Sequence, residues 1–174
     1  TTPMHQWHVD NAAKFEDVGQ WKRAWYYPKE NEDMHQAVNR EVKATRNGIG
    51  ILDASTLGKI DIKGPDTAEF LNRVYTNAWL KLPIGKARYG VMLREDGIVF
   101  DEGTTTRSYE NHYHMTTATD EAPTVLTHLD YYLQVVWPVL DVNVVSTTEQ
   151  WAESAMAGPK SRELLSKLFP NKDI

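Results

Sequence analysis

Apolar residues recur at helical spacing in four stretches of the chain and alternate with polar residues in several others, and these two periods predict its elements. The fullest stripe joins Val125, Leu126, Leu129, Tyr132, Leu133 and Val136, predicting a helix over 120–136 that Trp137-Pro138 ends. Met34, Val38 and Val42 recur every four residues, predicting a helix over 33–47 with Gly48 at its C-cap. Two further helices, 66–75 and 159–169, each start at a proline that pre-sets the first turn; Ala68, Leu71, Val74 and Tyr75 share one face of the earlier one.

Strands follow from the period of two. One is predicted over 51–63, where Lys59-Ile60-Asp61-Ile62-Lys63 alternates. Residues 87–94 alternate through Tyr89, Val91 and Leu93, and Asp96-Gly97 predicts a two-residue hairpin turn to a return strand over 98–107. Further strands are expected at 112–117, 142–146 and 152–157. The first 28 residues carry Trp7, Phe15, Trp21, Trp25, Tyr26 and Tyr27 without any period, which reads as extended chain lying across a core. Interleaved strands, hairpins and helices make the expected class α+β.

Gly64-Pro65 and Gly158-Pro159 each follow a strand and open a helix, and the second pair stands 94 residues after the first. That spacing suits two related halves of one fold better than a solenoid period. A strand-Gly-Pro-helix unit is also a good local solution in its own right. If the halves are related, the first is followed by a hairpin and the second is incomplete, leaving a sheet edge and an apolar face to be covered. The expectation is a truncated piece of a larger domain, or one that pairs through that edge with another chain or a second copy of itself.

At 174 residues with 41% hydrophobic content the chain can bury a core of its own. Its net charge of -5 argues against nucleic acid as a partner. Without cysteine it has no thiolate nucleophile and no sulfur-ligated metal. No apolar run approaches the ~20 residues needed to cross a bilayer and no signal-peptide layout opens the chain, so a soluble, cytoplasmic protein without membrane contact is expected. His5, His8 and Asp10, or His112 and His114 on one strand face, offer two histidines each but no readable third ligand, so no metal site is assigned.

If Asp96-Gly97 is a two-residue turn, Met92 stands opposite Asp101 and Gly90 opposite Gly103 on one hairpin face. Two glycines there would leave open backbone beside one carboxylate, space for a flat heteroaromatic ring with Asp101 as proton acceptor or as stabiliser of a transient cation. The same register points Tyr89 to the other face. A solvated strand carboxylate is the plainer alternative for Asp101.

The stretch from Gly85 to Leu93, followed by Glu95-Asp96-Gly97-Ile98-Val99-Phe100-Asp101, resembles the signature hairpin of the glycine-cleavage T-protein family of tetrahydrofolate-binding aminomethyltransferases. Asp53-Ala54-Ser55-Thr56-Leu57-Gly58, both Gly-Pro helices, and Thr2-Pro3-Met4-His5 with Trp21 and Tyr27-Pro28 extend the likeness to nearly the whole chain. Asp53 to Lys59, Tyr75-Thr76-Asn77-Ala78-Trp79 and the block from Arg88 to Arg94 are most similar to the alpha subunits of heterotetrameric sarcosine oxidases. The resemblance implies the N-terminal part of a single tetrahydrofolate-binding domain, over residues 1–174, that helps capture the one-carbon unit of oxidised sarcosine. It implies Asp101 as the catalytic carboxylate and Tyr89, Leu57, Met92 and Thr105 as cofactor-binding. It also implies other sarcosine oxidase subunits as partners, with flavin and NAD bound in other parts of the complex, and low or no activity for this piece alone.

Phe100 stands where the family has a first acidic residue, Thr56 where T-proteins often have His, and Thr105 where an aromatic can occur. These departures favour an oxidase relative over an aminomethyltransferase of glycine cleavage, which would need a lipoyl-carrier partner. The carboxylate that grips the pterin in the family has no counterpart in this sequence. A non-catalytic module that binds folate or partner proteins is the other reading.

Overall fold

The computed structural model describes residues 1–173. In chain order the elements are helix α1 (His5–Asp10), strands β1 (Lys14–Val18) and β2 (Trp21–Tyr26), helix α2 (Met34–Asn47), strands β3 (Gly50–Asp53) and β4 (Gly58–Lys63), and helix α3 (Thr67–Val74). Strands β5 (Ala87–Leu93), β6 (Val99–Tyr109) and β7 (His112–Thr117) follow, then helix α4 (Ala122–Tyr131), strands β8 (Asn143–Ser146) and β9 (Ser154–Ala157), and helix α5 (Ser161–Leu168). They form two compact units, one from residues 1–56 with 151–173 and the other from 57–150. The class is α+β.

The first unit corrects the expectation of an extended N-terminal chain. A short helix leads into the hairpin β1–β2, closed by Val18 opposite Trp21 and by Gly19 at φ 56°. The aromatic residues showed no period because they are shared among helix, hairpin and the coil that follows. Helix α2 begins at a capping box, with Gln36 N–H donating to Asp33 and Asp33 N–H to the Gln36 side chain. Its four-residue stripe does not enter a core. Only Ala37 is buried, while Val38 and Val42 line an open groove with Trp25, Ile51 and Leu52.

The single strand expected over 51–63 is two strands in two sheets. The chain turns after β3 because the Asp53 carboxylate accepts the Ser55 N–H at 3.0 Å, a local turn that competes with continued strand. Strand β3 pairs antiparallel with β9, from Gly50 opposite Ala157 to Asp53 opposite Ser154.

The second unit is a five-stranded antiparallel sheet in the order β5-β6-β7-β4-β8. Alternation gives it one apolar face: Ile60, Ile62, Met92, Tyr113 and Met115 pack under Phe70 and Leu71 of α3 and Val125 and Leu129 of α4. Each such side chain, fully buried, contributes about 1.5–3 kcal/mol. The opposite face is polar, and Asp61 there holds His112 at 2.9 Å and His114 at 2.6 Å. Helix α4 is shorter than the stripe suggested, because residues 132–136 widen into a π-helical turn that Trp137 N–H closes on Tyr132 O at 2.7 Å.

The two Gly-Pro units repeat closely in local geometry. Gly64 and Gly158 have φ 143° and 122°, which side-chain-bearing residues avoid. In each, the residue three positions later returns both its N–H (3.2 and 3.1 Å) and its hydroxyl (2.9 Å each) to the glycine carbonyl. Eight-residue helices follow. Pairing repeats with exchange: the strand before the first Gly-Pro, β4, pairs with β8, and the strand before the second, β9, pairs with β3. Burial does not repeat. Helix α3 buries Thr67, Phe70 and Leu71, whereas α5 buries nothing and Leu168 and Phe169 stand about half exposed. The second edge of β9 has no strand partner among the described residues.

Candidate functional site

Hairpin β5–β6 reaches the expected register by an unexpected route. Arg94 N–H donates to Ile98 O at 2.8 Å and Gly97 N–H to Arg94 O at 2.9 Å, so the turn holds three residues, with Gly97 at φ 81°. Leu93 then pairs with Val99, and Phe100 is an extra residue in a bulge that shifts the register back. Met92 opposes Asp101 and Gly90 opposes Gly103, as two cancelling irregularities require. The bulged Phe100 ring lies 4.6 Å from that of His128 on α4.

Asp101 sits beyond the end of the β6–β7 ladder. Strands β6 and β7 are paired at Thr105 and Met115, but the ladder goes no further toward Asp101. One step on, the Thr116 hydroxyl accepts Thr104 N–H at 3.1 Å and donates to Thr104 O at 3.3 Å, taking the place of backbone bonds. Beyond that step, Asp101 Oδ1 accepts Ala118 N–H at 3.1 Å. Its Oδ2 is buried without a hydrogen-bond partner. Burial pushes this carboxyl above the usual carboxylate range, and the charges of Glu102 and Glu121 push the same way against the N–H bonds it accepts.

The sequence-named residues separate into groups. Met92 and Thr105 share the buried face with Asp101, both fully enclosed, and the Thr105 hydroxyl also lacks a partner. Leu57 directly precedes Gly58, the pairing partner of Thr117, so its main chain flanks Ala118. Tyr89 is not brought to Asp101: it stands on the opposite face, 58% exposed, beside Glu102.

The open backbone expected over the two glycines is filled, which corrects that expectation. A Cβ on Gly90 would lie 2.7 Å from the Trp79 ring and 2.8 Å from that of Tyr75, and one on Gly103 would lie 1.9 Å from Thr116 O. Tyr75 is carried there by an isolated bridge to Met92 beyond the end of α3. Tyr75 and Trp79, read from sequence only as a core position and part of a resemblance, thus roof the hairpin. The Tyr75 hydroxyl and Trp79 Nε1 are buried without partners too. Burial pushes the Tyr75 phenol up, and the Asp101 charge adds to this.

No group of three or more His, Cys, Asp or Glu among the described residues is arranged to hold a metal ion. His8 is instead buried between the Tyr27 hydroxyl, 2.5 Å from Nδ1, and Asp53, 2.9 Å from Nε2. Burial raises the Asp53 pKa, but bonds from Ser55, Thr2 and His8 outweigh it and hold the group below its usual value. No helix among the described residues is long and apolar enough to cross a membrane.

A family model described as the GCVT N-terminal domain matches residues 4–174. The chain is 56% identical over 173 residues to sarcosine oxidase subunit alpha of Corynebacterium sp. (strain P-1), covering 99% of this chain and 18% of the relative. It is 51% identical over 174 residues to that subunit of Rhizobium meliloti (strain 1021), again covering 99% and 18%. An aminomethyltransferase of Thermotoga neapolitana is 31% identical over 169 residues, covering 96% and 43%. The crystal structure of glycine cleavage system aminomethyltransferase T from Bartonella henselae superposes with a TM-score of 0.82 at 24% identity, over 95% of this chain and 42% of that one, and so shares the fold. The chain spans about a fifth of the length of the sarcosine oxidase relatives.

Proposed function

The chain belongs to the GCVT N-terminal domain family, and from that premise we propose that it is the N-terminal part of one tetrahydrofolate-binding domain in a sarcosine oxidase-type alpha subunit. There it helps capture the one-carbon unit released when sarcosine is oxidatively demethylated. High identity to sarcosine oxidase alpha subunits over 99% of the chain supports the assignment to that branch.

The observation that carries the chemistry is Asp101: a carboxyl 5% exposed, tied by one oxygen to Ala118 and unpaired at the other. Buried polar atoms without partners are few in native proteins. A carboxyl with high proton affinity and one free oxygen suits transfer of a proton at a ring nitrogen, which is the role assigned to it. Bound tetrahydrofolate would supply the nitrogens that accept the carbon. Met92 and Thr105 back the carboxyl, Leu57 lies at the flank where Ala118 holds it, and Tyr89 faces away. Flavin and NAD belong to other parts of the complex, and the other subunits are the partners. The exposed β9 edge and the apolar Leu168 and Phe169 on the α5 side are where further polypeptide covers the second Gly-Pro unit.

Calorimetric titration of tetrahydrofolate into this chain and into the longer protein tests the reading. Tight binding by the longer protein, weak binding here, and loss of carbon capture in Asp101→Asn are expected. Absence of binding to the longer protein would sink the folate assignment.

A further inference from the structure

The β6–β7 ladder ends at one side chain. Strand β7 keeps pairing with β4 as far as Thr117 opposite Gly58, and β6 keeps pairing with β5 as far as Asp101 opposite Met92. The ladder between β6 and β7 alone stops, at Thr105 and Met115. At the first missing pair, the Thr116 hydroxyl satisfies both the N–H and the carbonyl of Thr104, the two groups a continued ladder would have joined to backbone. Gly103, one residue further, has no side chain to meet Thr116 O. Just past this point the Asp101 carboxylate accepts Ala118 N–H, a group that no β6 backbone carbonyl takes once the ladder has ended.

We propose that Thr116 is the positioning residue of the site: its hydroxyl takes both backbone groups of Thr104, ends the β6–β7 ladder short of Asp101, and thereby sets Asp101 on Ala118 with its second oxygen unpaired. The inference rests on the reading of Asp101 as the working carboxyl. Thr116 does not touch the reacting atoms; it acts through Asp101. Replacing the hydroxyl by a methyl group of similar size leaves Thr104 N–H and O to find backbone partners on β7, and the ladder extends toward Ala118. The carboxylate then loses the amide that orients it.

NMR on the full 174-residue chain tests this without folate. In the unsubstituted protein the Ala118 amide proton shift should follow the ionisation of Asp101, identified by its loss in Asp101→Asn. In Thr116→Val that pH dependence should disappear, and in Thr116→Ser, which keeps the hydroxyl, it should persist. Should Thr116→Val fail to fold, Thr116→Ser still decides, since loss of the Ala118 response there would overturn the proposal. An Ala118 response in folded Thr116→Val equal to that of the parent would also overturn it, reducing Thr116 to a stabilising contact. Failure of tetrahydrofolate to bind the longer protein would remove the functional reading while leaving the NMR result intact, so the two are distinguishable.

Discussion

Gly103→Ala probes directly the packing of β6 on β7 where their ladder ends. The added Cβ would lie 1.9 Å from the Thr116 carbonyl oxygen, an atom of the backbone that no rotamer change can move. A carbon and an oxygen approach to about 3.3 Å, so β6 and β7 must separate by roughly 1.4 Å at this point. That stretches the bonds of Thr116 with Thr104, now 3.1 and 3.3 Å, beyond hydrogen-bonding range. Two partly exposed bonds contribute about 0.5 kcal/mol each at the low end, and forced overpacking costs about 1–3 kcal/mol. The expected destabilisation is roughly 2–4 kcal/mol. Gly97→Ala is the control: it sits at φ 81° with nothing within 4 Å of an added methyl, so only the left-handed backbone penalty of about 1 kcal/mol applies. Urea unfolding of both variants at one pH compares them. If Gly103→Ala loses no more stability than Gly97→Ala, the close approach of Gly103 to Thr116 is wrong, and the account of how Asp101 is positioned fails with it.

Asp101 also leaves a signature in stability against pH. Its folded pKa is raised, so between the usual carboxylate value and that raised value the folded state keeps a proton the unfolded state has lost, and stability falls as pH rises through the window. Asp101→Asn should abolish this decline in unfolding curves taken at a series of pH values. Asp53 has the opposite sign: its folded pKa is lowered, so its contribution is present above the unfolded value and fades as pH falls through the folded one. Asp53→Ala, which strips buried His8 of its carboxylate, should cost about 3 kcal/mol by thermal unfolding. Tyr89→Phe, on the exposed face, should leave stability within about 0.5 kcal/mol and folate affinity unchanged in calorimetry. Asp33→Ala should cost about 1 kcal/mol of helix capping, visible as a lower unfolding midpoint.

How far the site could be read from sequence is shown by the hairpin. Met92 opposite Asp101 follows from treating Asp96-Gly97 as a two-residue turn, yet the chain makes a three-residue turn and repays the shift with a bulge at Phe100. The register was legible because alternation fixes which side chains must face the core, and compensation inside the hairpin preserves that face. The space over Gly90 was not legible. Glycine pairs mark close approach but do not say by what, and here Tyr75 and Trp79 arrive from beyond α3. Thr116 gave no signal either: a threonine in a strand is ordinary, and its role depends on a ladder ending beside it. The period of α2 correctly gave its helix and its Gly48 cap but not its surroundings, since Val38 and Val42 face an open groove.

The two Gly-Pro units separate what local sequence encodes from what surroundings decide. Both glycines take positive φ, both returning hydroxyls stand at 2.9 Å, and both helices run eight residues, so the motif alone specifies this geometry. The apolar positions Phe70, Leu71 and Tyr75 recur 94 residues later as Leu164, Leu165 and Phe169. In the first Gly-Pro unit they are buried under a sheet of which four strands, β5 to β8, follow α3, and Tyr75 bridges to Met92 in that sheet. In the second, Phe169 is half exposed beside a strand with one free edge. Identical local physics therefore yields a finished core in one case and an apolar face in the other. The first Gly-Pro unit shows what separates the two outcomes: its strand β4 is flanked on both edges, by β7 and β8, whereas β9 has a strand on one edge alone among the described residues.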